Sequence, residues 1–227
     1  MAKSRPPTSF TSSGPDRSNA ILLAAGTVAV LALVWAFWPS RYARVTNLES
    51  RGSAVIAFGD SLTAGYGAGA GEDYPSILSR AGLAVLNAGV SGDTTEGAAA
   101  RLERDVLARD PRIVIVGLGG NDYLRGMPIA STEENLRTIV RKIQGRGAMV
   151  VLLGFRFPSL NADYESMYEA VAKSEGCLLI DHTMKGILTD PSLKSDAIHP
   201  NARGYALMAE RVADPLAKLI RKADEER

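Results

Sequence analysis

From Ser53 onward, short apolar runs recur about every 30 residues, with longer amphipathic stretches between them. The runs are 53–58, 83–87 (LAVLN), 112–117 (RIVIVG), 148–153 (AMVVLL) and 177–181 (CLLID). They are continuous and mostly aliphatic, the pattern of strands buried on both faces. Helices are expected between them at about 74–81, 95–108, 131–145 and 162–175, the third opened by a capping box from Ser131 to Glu134. A last helix is expected at about 200–222, with Pro200 in its first turn. Such alternation makes a parallel sheet with helices on both faces. Five strands favour a flavodoxin-like α/β three-layer sandwich of order 2-1-3-4-5. Its ligands bind beyond the carboxyl ends of the strands, at the switch point between strands 1 and 3.

The expected strand tips carry polar and glycine-rich residues that would converge on one rim. Strand 1 ends in Gly59-Asp60-Ser61, strand 2 in NAGVSGDT with Gly89 just past its tip, and strand 3 in GLGGNDYLRG with Asn121 just past its tip. After strand 5 comes SDAIHPNARGY, with Asp196 and His199 before the last helix. Taken singly, each has a plainer reading: a tight turn for the first triplet, a cap for Asp196, a loop histidine for His199. A serine hydroxyl is a weak nucleophile and needs an adjacent base, and the chain offers two histidines. His182 follows Asp181 at a strand end, where adjacent side chains point apart. His199 has Asp196 three residues earlier in a turn, close enough for the carboxylate to fold back on the ring, and Pro200 holds His199 out of helical geometry. Ser61, His199 and Asp196 are therefore the candidate triad, and His182 a packing or surface residue.

The same four blocks, in the same order, resemble the SGNH (GDSL) hydrolase family. The GDS motif is Gly59-Asp60-Ser61, the second block's glycine matches Gly89, the G-x-N-D block is Gly119 to Asp122, and the D-x-x-H block is Asp196 to His199. The resemblance runs from about residue 53 to 220, and GDSLTAGYG, SGDTT and GGNDYLRG are most similar to the bacterial thioesterase, lysophospholipase and arylesterase group. It implies an oxyanion hole made by the backbone N–H groups of Ser61 and Gly89 and the side-chain amide of Asn121, with no cofactor and no metal. Asp60 and Asp122 are expected to tie down their own loops. One departure is Tyr123, where that group often has a small residue. With Phe155, Phe157 and Tyr164 of the loop GFRFPSLNADY, Tyr123 is a candidate wall for an acyl chain.

Other chemistries find no support. There is no G-x-S-x-G elbow, the glycines at 65, 67, 69 and 71 fit neither G-x-G-x-x-G nor a P-loop, and two distant histidines without clustered carboxylates do not suggest a metal centre. The single cysteine, Cys177, allows no internal disulfide and reads as a small core residue. A chain that is 46% hydrophobic with a formal net charge of +1 is too apolar for disorder and too neutral for a nucleic-acid binder.

The N-terminal fifth differs in composition. Residues 1–19 are rich in Ser, Pro and Gly and should be a disordered tail. Residues 20–38, AILLAAGTVAVLALVWAFW, carry no charge; as a helix they would cover about 28 Å, close to the hydrocarbon thickness of a bilayer. Trp35 and Trp38 lie where interfacial aromatics belong, and FWPSRYAR has bulky or charged residues at most of the positions where a cleavage site needs small ones, so an uncleaved transmembrane anchor is expected. Lys3, Arg5 and Arg17 before it nearly balance Arg41, Arg44 and Arg51 after it. Residues 39–52 then read as a polar linker to a hydrolase domain spanning 53–227.

The resulting expectation is a single-pass, membrane-anchored serine esterase acting on small acyl esters or thioesters, lipid-derived ones included, with its catalytic domain periplasmic or otherwise extracytoplasmic because the resembling group is largely exported. A carbohydrate O-deacetylase and a catalytically silent, membrane-tethered binding domain are the alternatives.

Overall fold

The computed structural model describes residues 41–155 and 162–227. The tail 1–19, the apolar run 20–38 and Phe157 lie outside them. Among the described residues, no helix is long and apolar enough to cross a membrane.

Five strands form one parallel sheet: β1 (Ala54–Gly59), β2 (Val85–Gly89), β3 (Pro111–Gly117), β4 (Met149–Leu153) and β5 (Leu178–Ile180), in the order β2-β1-β3-β4-β5. The central strands are as apolar as their position requires. Ile56, Ala57 and Phe58 of β1, Ile113 to Val116 of β3 and all of β4 are fully buried. The edge strand β2 departs from the expectation of burial on both faces, since Leu86 is 44% exposed and only Val85 is buried. An edge strand lacks a neighbour on one side, and β2 is covered less than the centre.

The helices connecting the strands are α1 (Ser61–Ala64), α2 (Tyr74–Leu78), α3 (Thr95–Asp105), α4 (Gly120–Leu124), α5 (Ile129–Gly145), α6 (Ala162–Glu175) and α7 (Ala202–Glu225). Two starts differ from the sequence expectation. Helix α5 begins at Ile129 with Pro128 as its N-cap, so the Ser131–Glu134 capping box does not form. The carbonyl of Pro128 instead accepts the N–H groups of Ser131 and Thr132. Helix α7 begins one residue after Asn201, whose side chain accepts from the N–H groups of Arg203 and Gly204, leaving Pro200 outside the first turn.

Residues 41–52, expected within a polar linker, are fastened to the domain. Val45 is buried, Thr46 N–H donates to Gly176 O (2.9 Å), and Asn47 Nδ2 donates to Gln144 O (2.8 Å) and Ala148 O (3.0 Å). Ser53 N–H then donates to Asp110 O (3.0 Å) as the chain enters β1. The acceptors immediately precede β5, β4 and β3, so this strap crosses the N-terminal ends of the strands, opposite the tips that carry Ser61 and Asn121.

Asn47 sits at φ 66°, where asparagine is tolerated better than most residues, and its amide bridges two carbonyls. Asn47→Ala should therefore cost about 2 kcal/mol in urea unfolding while esterase turnover stays unchanged. A silent substitution would mean that the strap contributes nothing to stability.

Candidate active site

The chain leaves β1 at Gly59 and turns into α1 through Asp60, whose Oδ1 accepts the Leu62 N–H at 3.0 Å. That cap places Ser61 at the first helical position, at the rim. Ser61 Oγ lies 3.0 Å from His199 Nε2, and His199 Nδ1 lies 2.7 Å from Asp196 Oδ2. A carboxylate can only accept, so Nδ1 carries the proton and Nε2 is the acceptor for the serine hydroxyl. Asp196 Oδ1 meanwhile accepts the N–H groups of Ile198 (2.9 Å) and His199 (2.8 Å), which folds the D-x-x-H turn back on itself. Desolvation is the largest single influence on Asp196 and opposes its ionisation, but the Ile198 amide and the His199 ring and amide together outweigh it and hold the carboxyl below its usual value. The Tyr66 ring, 55% exposed, rests against the His199 ring with centroids 4.5 Å apart.

Asn121 lies in the first turn of α4. Its Nδ2 donates to Asp93 O at 2.9 Å and, at a longer 3.3 Å, to Asp60 Oδ2. The carboxamide thus spans the gap between the Ser61 turn and the loop after β2. The neighbouring Asp122 is fully buried, but it does not tie down its own loop. It accepts the Thr95 N–H and hydroxyl at the start of α3 and the Thr132 hydroxyl of α5.

Gly89 is placed differently from the role the resemblance implies. Its N–H donates to Asn87 Oδ1 at 2.9 Å and is committed there. A Cβ on it would stand 2.2 Å from the Ala64 nitrogen, so its lack of a side chain serves the seating of α1. Three residues on, Gly92 has φ 80°, and its N–H has no partner among the described residues. Gly92 precedes Asp93, the residue whose carbonyl holds Asn121. The glycine before the aspartate in SGDT was the available signal.

The described members of the expected acyl wall pack against other aromatic rings. Tyr123 packs edge-on against Tyr164 (centroids 5.3 Å apart), and Phe155 is buried edge-on against Tyr168 (6.4 Å). The small cleft beside Ser61 is lined instead by Asn121, Leu124, Ile198 and His199, with Leu124 55% exposed. Two larger hollows, about 880 and 360 Å³, lie along the strap at the other end of the sheet and contain none of these residues.

The remaining candidates fall elsewhere. His182 does meet Asp181, Nε2 to Oδ2 at 2.9 Å, because a left-handed backbone (φ 61°) takes it off the strand geometry that would hold the two side chains apart. Its Nδ1 has no partner among the described residues, so no hydroxyl completes that pair. Cys177 is half-buried and burial pushes its thiol up to about 12, which keeps it a thiol rather than a thiolate. Among the described residues, no group of three or more His, Cys, Asp or Glu side chains is placed to hold a metal ion.

A hydroxyl, an imidazole and a carboxylate in one hydrogen-bonded line at the rim of a parallel sheet is the equipment of a serine hydrolase. The chain belongs to the GDSL-like lipase/acylhydrolase family, which it matches over residues 57–207. It is 33% identical over 185 residues to the Escherichia coli K12 protein named thioesterase 1/protease 1/lysophospholipase L1, covering 78% of this chain and 89% of that one. It is 32% identical over 176 residues to the arylesterase of Vibrio mimicus, covering 72% and 88%. Among solved structures, the psychrotrophic esterase EstA from Pseudoalteromonas sp., inhibited by monoethylphosphonate, superposes with a TM-score of 0.67 at 28% identity, over 74% of this chain and 98% of that one. The protein is a serine hydrolase acting on ester bonds.

Burial raises the Asp60 carboxyl to about 7, with the nearby Asp93 and Asp122 charges adding to the effect and the Leu62 N–H opposing it. The folded state therefore holds this proton more tightly than the unfolded chain does, and stability is lost as pH rises from about 4 to about 7. Relative to the parent, Asp60→Asn should gain up to about 4 kcal/mol over that window, read from denaturant midpoints at each pH. A pH-independent difference between the two proteins would contradict the raised carboxyl.

Proposed function

We propose that the protein is a membrane-anchored serine esterase that hydrolyses acyl esters or thioesters through a Ser61–His199–Asp196 triad. The observation that carries this reading is the unbroken line from Ser61 Oγ through both His199 nitrogens to Asp196. His199 Nε2 takes the hydroxyl proton as Ser61 Oγ attacks the acyl carbon, and Asp196 stabilises the imidazolium without taking the proton itself. The imidazolium then protonates the leaving alcohol or thiol, which departs and leaves an acyl-serine. In the second half, His199 deprotonates a water that attacks the acyl-serine, and Ser61 regains its proton as the acid is released.

The tetrahedral oxyanion needs fixed donors. The Ser61 N–H has no partner among the described residues and is one donor. Asn121 Nδ2 is the second: its 3.3 Å hydrogen bond to Asp60 is the longer of its pair and the one it releases. The Gly92 N–H, rather than that of Gly89, is the third. The exposed side chains of Tyr66 and Leu124 beside the triad suit the apolar part of an acyl ester, and the names of the relatives point to the same substrate class.

Variants read on a p-nitrophenyl ester test this assignment. Ser61→Ala and His199→Ala should each lower kcat by roughly four to six orders of magnitude, with the double variant hardly worse. Asn121→Ala should cost about 10²–10³, and His182→Ala should stay within a few-fold. Full turnover in folded His199→Ala would overturn the triad.

The anchor is residues 20–38, supported by their uncharged length and terminal tryptophans, and the catalytic domain is placed outside the cytoplasm. Protease added to intact spheroplasts should then remove the domain. Protection of the domain until lysis would reverse the orientation.

A further inference from the structure

Arg101 of α3 takes no part in the chemistry described above, yet its side chain is nearly buried at the rim. Its guanidinium makes four hydrogen bonds in different directions. Nη2 donates to Gly59 O (2.9 Å), two residues before Ser61, and Nη1 donates to Ala88 O (2.9 Å) near the tip of β2. Nε donates to Asp93 Oδ2 (2.7 Å), and Nη1 also reaches Asp105 Oδ2 (3.1 Å) one turn further along the helix. The flat face of the cation lies over the Phe58 ring of β1, with Cζ 4.3 Å from the centroid.

Two of these partners belong to opposite halves of the site. Gly59 O fixes where β1 hands over to the Ser61 turn. Asp93 holds Asn121 through its carbonyl while its carboxylate is held by Arg101. A single planar group therefore spans the nucleophile's strand and the peptide that aims the carboxamide. Resting on the assignment of Ser61 and Asn121 above, we propose that Arg101 is a positioning residue that fixes the Asn121 carboxamide relative to Ser61 by bracing Asp93 against the β1 tip. It touches no reacting atom. Its effect passes through Asp93 and Asn121, so it governs turnover rather than substrate binding.

The residue type fits the task. A guanidinium presents donors in a fixed fork and stacks on an aromatic ring, whereas a lysine ammonium is a point charge that can satisfy a carboxylate but not two divergent carbonyls as well. The neighbouring carboxyl groups of Asp60, Asp93, Asp105 and Asp122 make the cation welcome there, but charge alone would be met by lysine. Geometry is what lysine cannot supply, and misplacement of a donor by about 1 Å can cost on the order of a hundredfold in rate.

The test is a double-mutant cycle on the full-length chain in detergent, with p-nitrophenyl butyrate as probe and a thermal melt for every variant. Arg101→Lys should remain folded, keep KM within about threefold and lower kcat about tenfold to a hundredfold. In the Asn121→Ala background the same substitution should cost less than about threefold, because the donor it aims is already gone. A merely structural role would lower the melting temperature and leave kcat below the melt unchanged, or would add its full cost on top of Asn121→Ala, and either outcome overturns the proposal. Should Arg101→Lys fail to fold, Asp93→Asn removes the carboxylate and keeps the carbonyl, and the same cycle with Asn121→Ala gives the same readings. Full turnover by Asn121→Ala overturns the donor assignment and the Arg101 role together, whereas additive losses overturn the Arg101 role alone.

Discussion

Three glycines stand in register across the tips of the first three strands in space: Gly89 of β2 pairs with Gly59 of β1, and Gly59 pairs with Gly117 of β3. The short helix α1 lies on this row, and it can do so only because the row has no side chains. A Cβ on Gly59 would stand 2.2 Å from the Thr63 hydroxyl, and one on Gly89 would stand 2.2 Å from the Ala64 nitrogen. Lifting α1 to make room would lift Ser61 with it, away from a histidine held on a separate loop by Asp196. The reach from Ser61 to His199 therefore depends on backbone lying against backbone at the sheet rim. Thr63 shows how closely the helix is seated, since it is fully buried with its hydroxyl 3.2 Å from that of Tyr74.

A second layer of constraint comes from two adjacent side chains that reach the same loop. Asn121 donates to Asp93 O, and Asp122 accepts the N–H and hydroxyl of Thr95, so residues 121 and 122 grip the backbone on either side of Thr94. Arg101 grips Asp93 from the other direction. Three buried or nearly buried carboxyl groups, Asp60, Asp93 and Asp122, are thereby gathered around Asn121, close enough for the last two to act on the first. Such crowding opposes a further negative charge, and the site answers it with neutral donors plus one cation placed behind them. The raised carboxyl of Asp60 belongs to the same balance: burial beside Ser61 lets it hold its proton up to about pH 7.

The parallel sheet and its order were legible because burial on both faces leaves a period-free aliphatic signal, strongest in β3 from Ile113 to Val116 and throughout β4. The hydrogen-bonded line of Ser61, His199 and Asp196 was legible because Asp196 stands within a turn of His199, at a spacing that lets the carboxylate fold back on the ring. What escaped were features decided by single dihedrals or by the direction a ring faces. The left-handed His182 brings Asp181 to its ring, which no strand rule anticipates. Tyr123 and Phe155 lie near the rim in sequence but turn toward Tyr164 and Tyr168, because partners on α6 offer edge-on aromatic packing. Gly89 and Gly92 are indistinguishable by residue type; they differ in the Asn87 side chain that engages the N–H of the first and the left-handed backbone of the second. The strap escaped for the opposite reason: its polar composition suggests solvent, but here polar groups such as the Asn47 amide satisfy the carbonyls that precede the strands.

The direction of the strands turns these local facts into a division of labour. In a parallel sheet every C-terminal end falls on one rim, so the short turns after β1, β2 and β3 meet there, and the longer connection from β5 to α7 returns to the same place. Every N-terminal end falls on the other rim, where unpaired backbone groups need partners, and there the strap supplies them. Chemistry and anchorage of the backbone are thus separated by the length of a strand, about 20 Å for six residues. A substitution in the strap has no short route to Ser61 except through the sheet itself, and β1, β3 and β4 are packed too closely to bend. Arg101 sits on the other side of this division: it is carried by a helix attached to the C-terminal rim and touches the β1 and β2 tips.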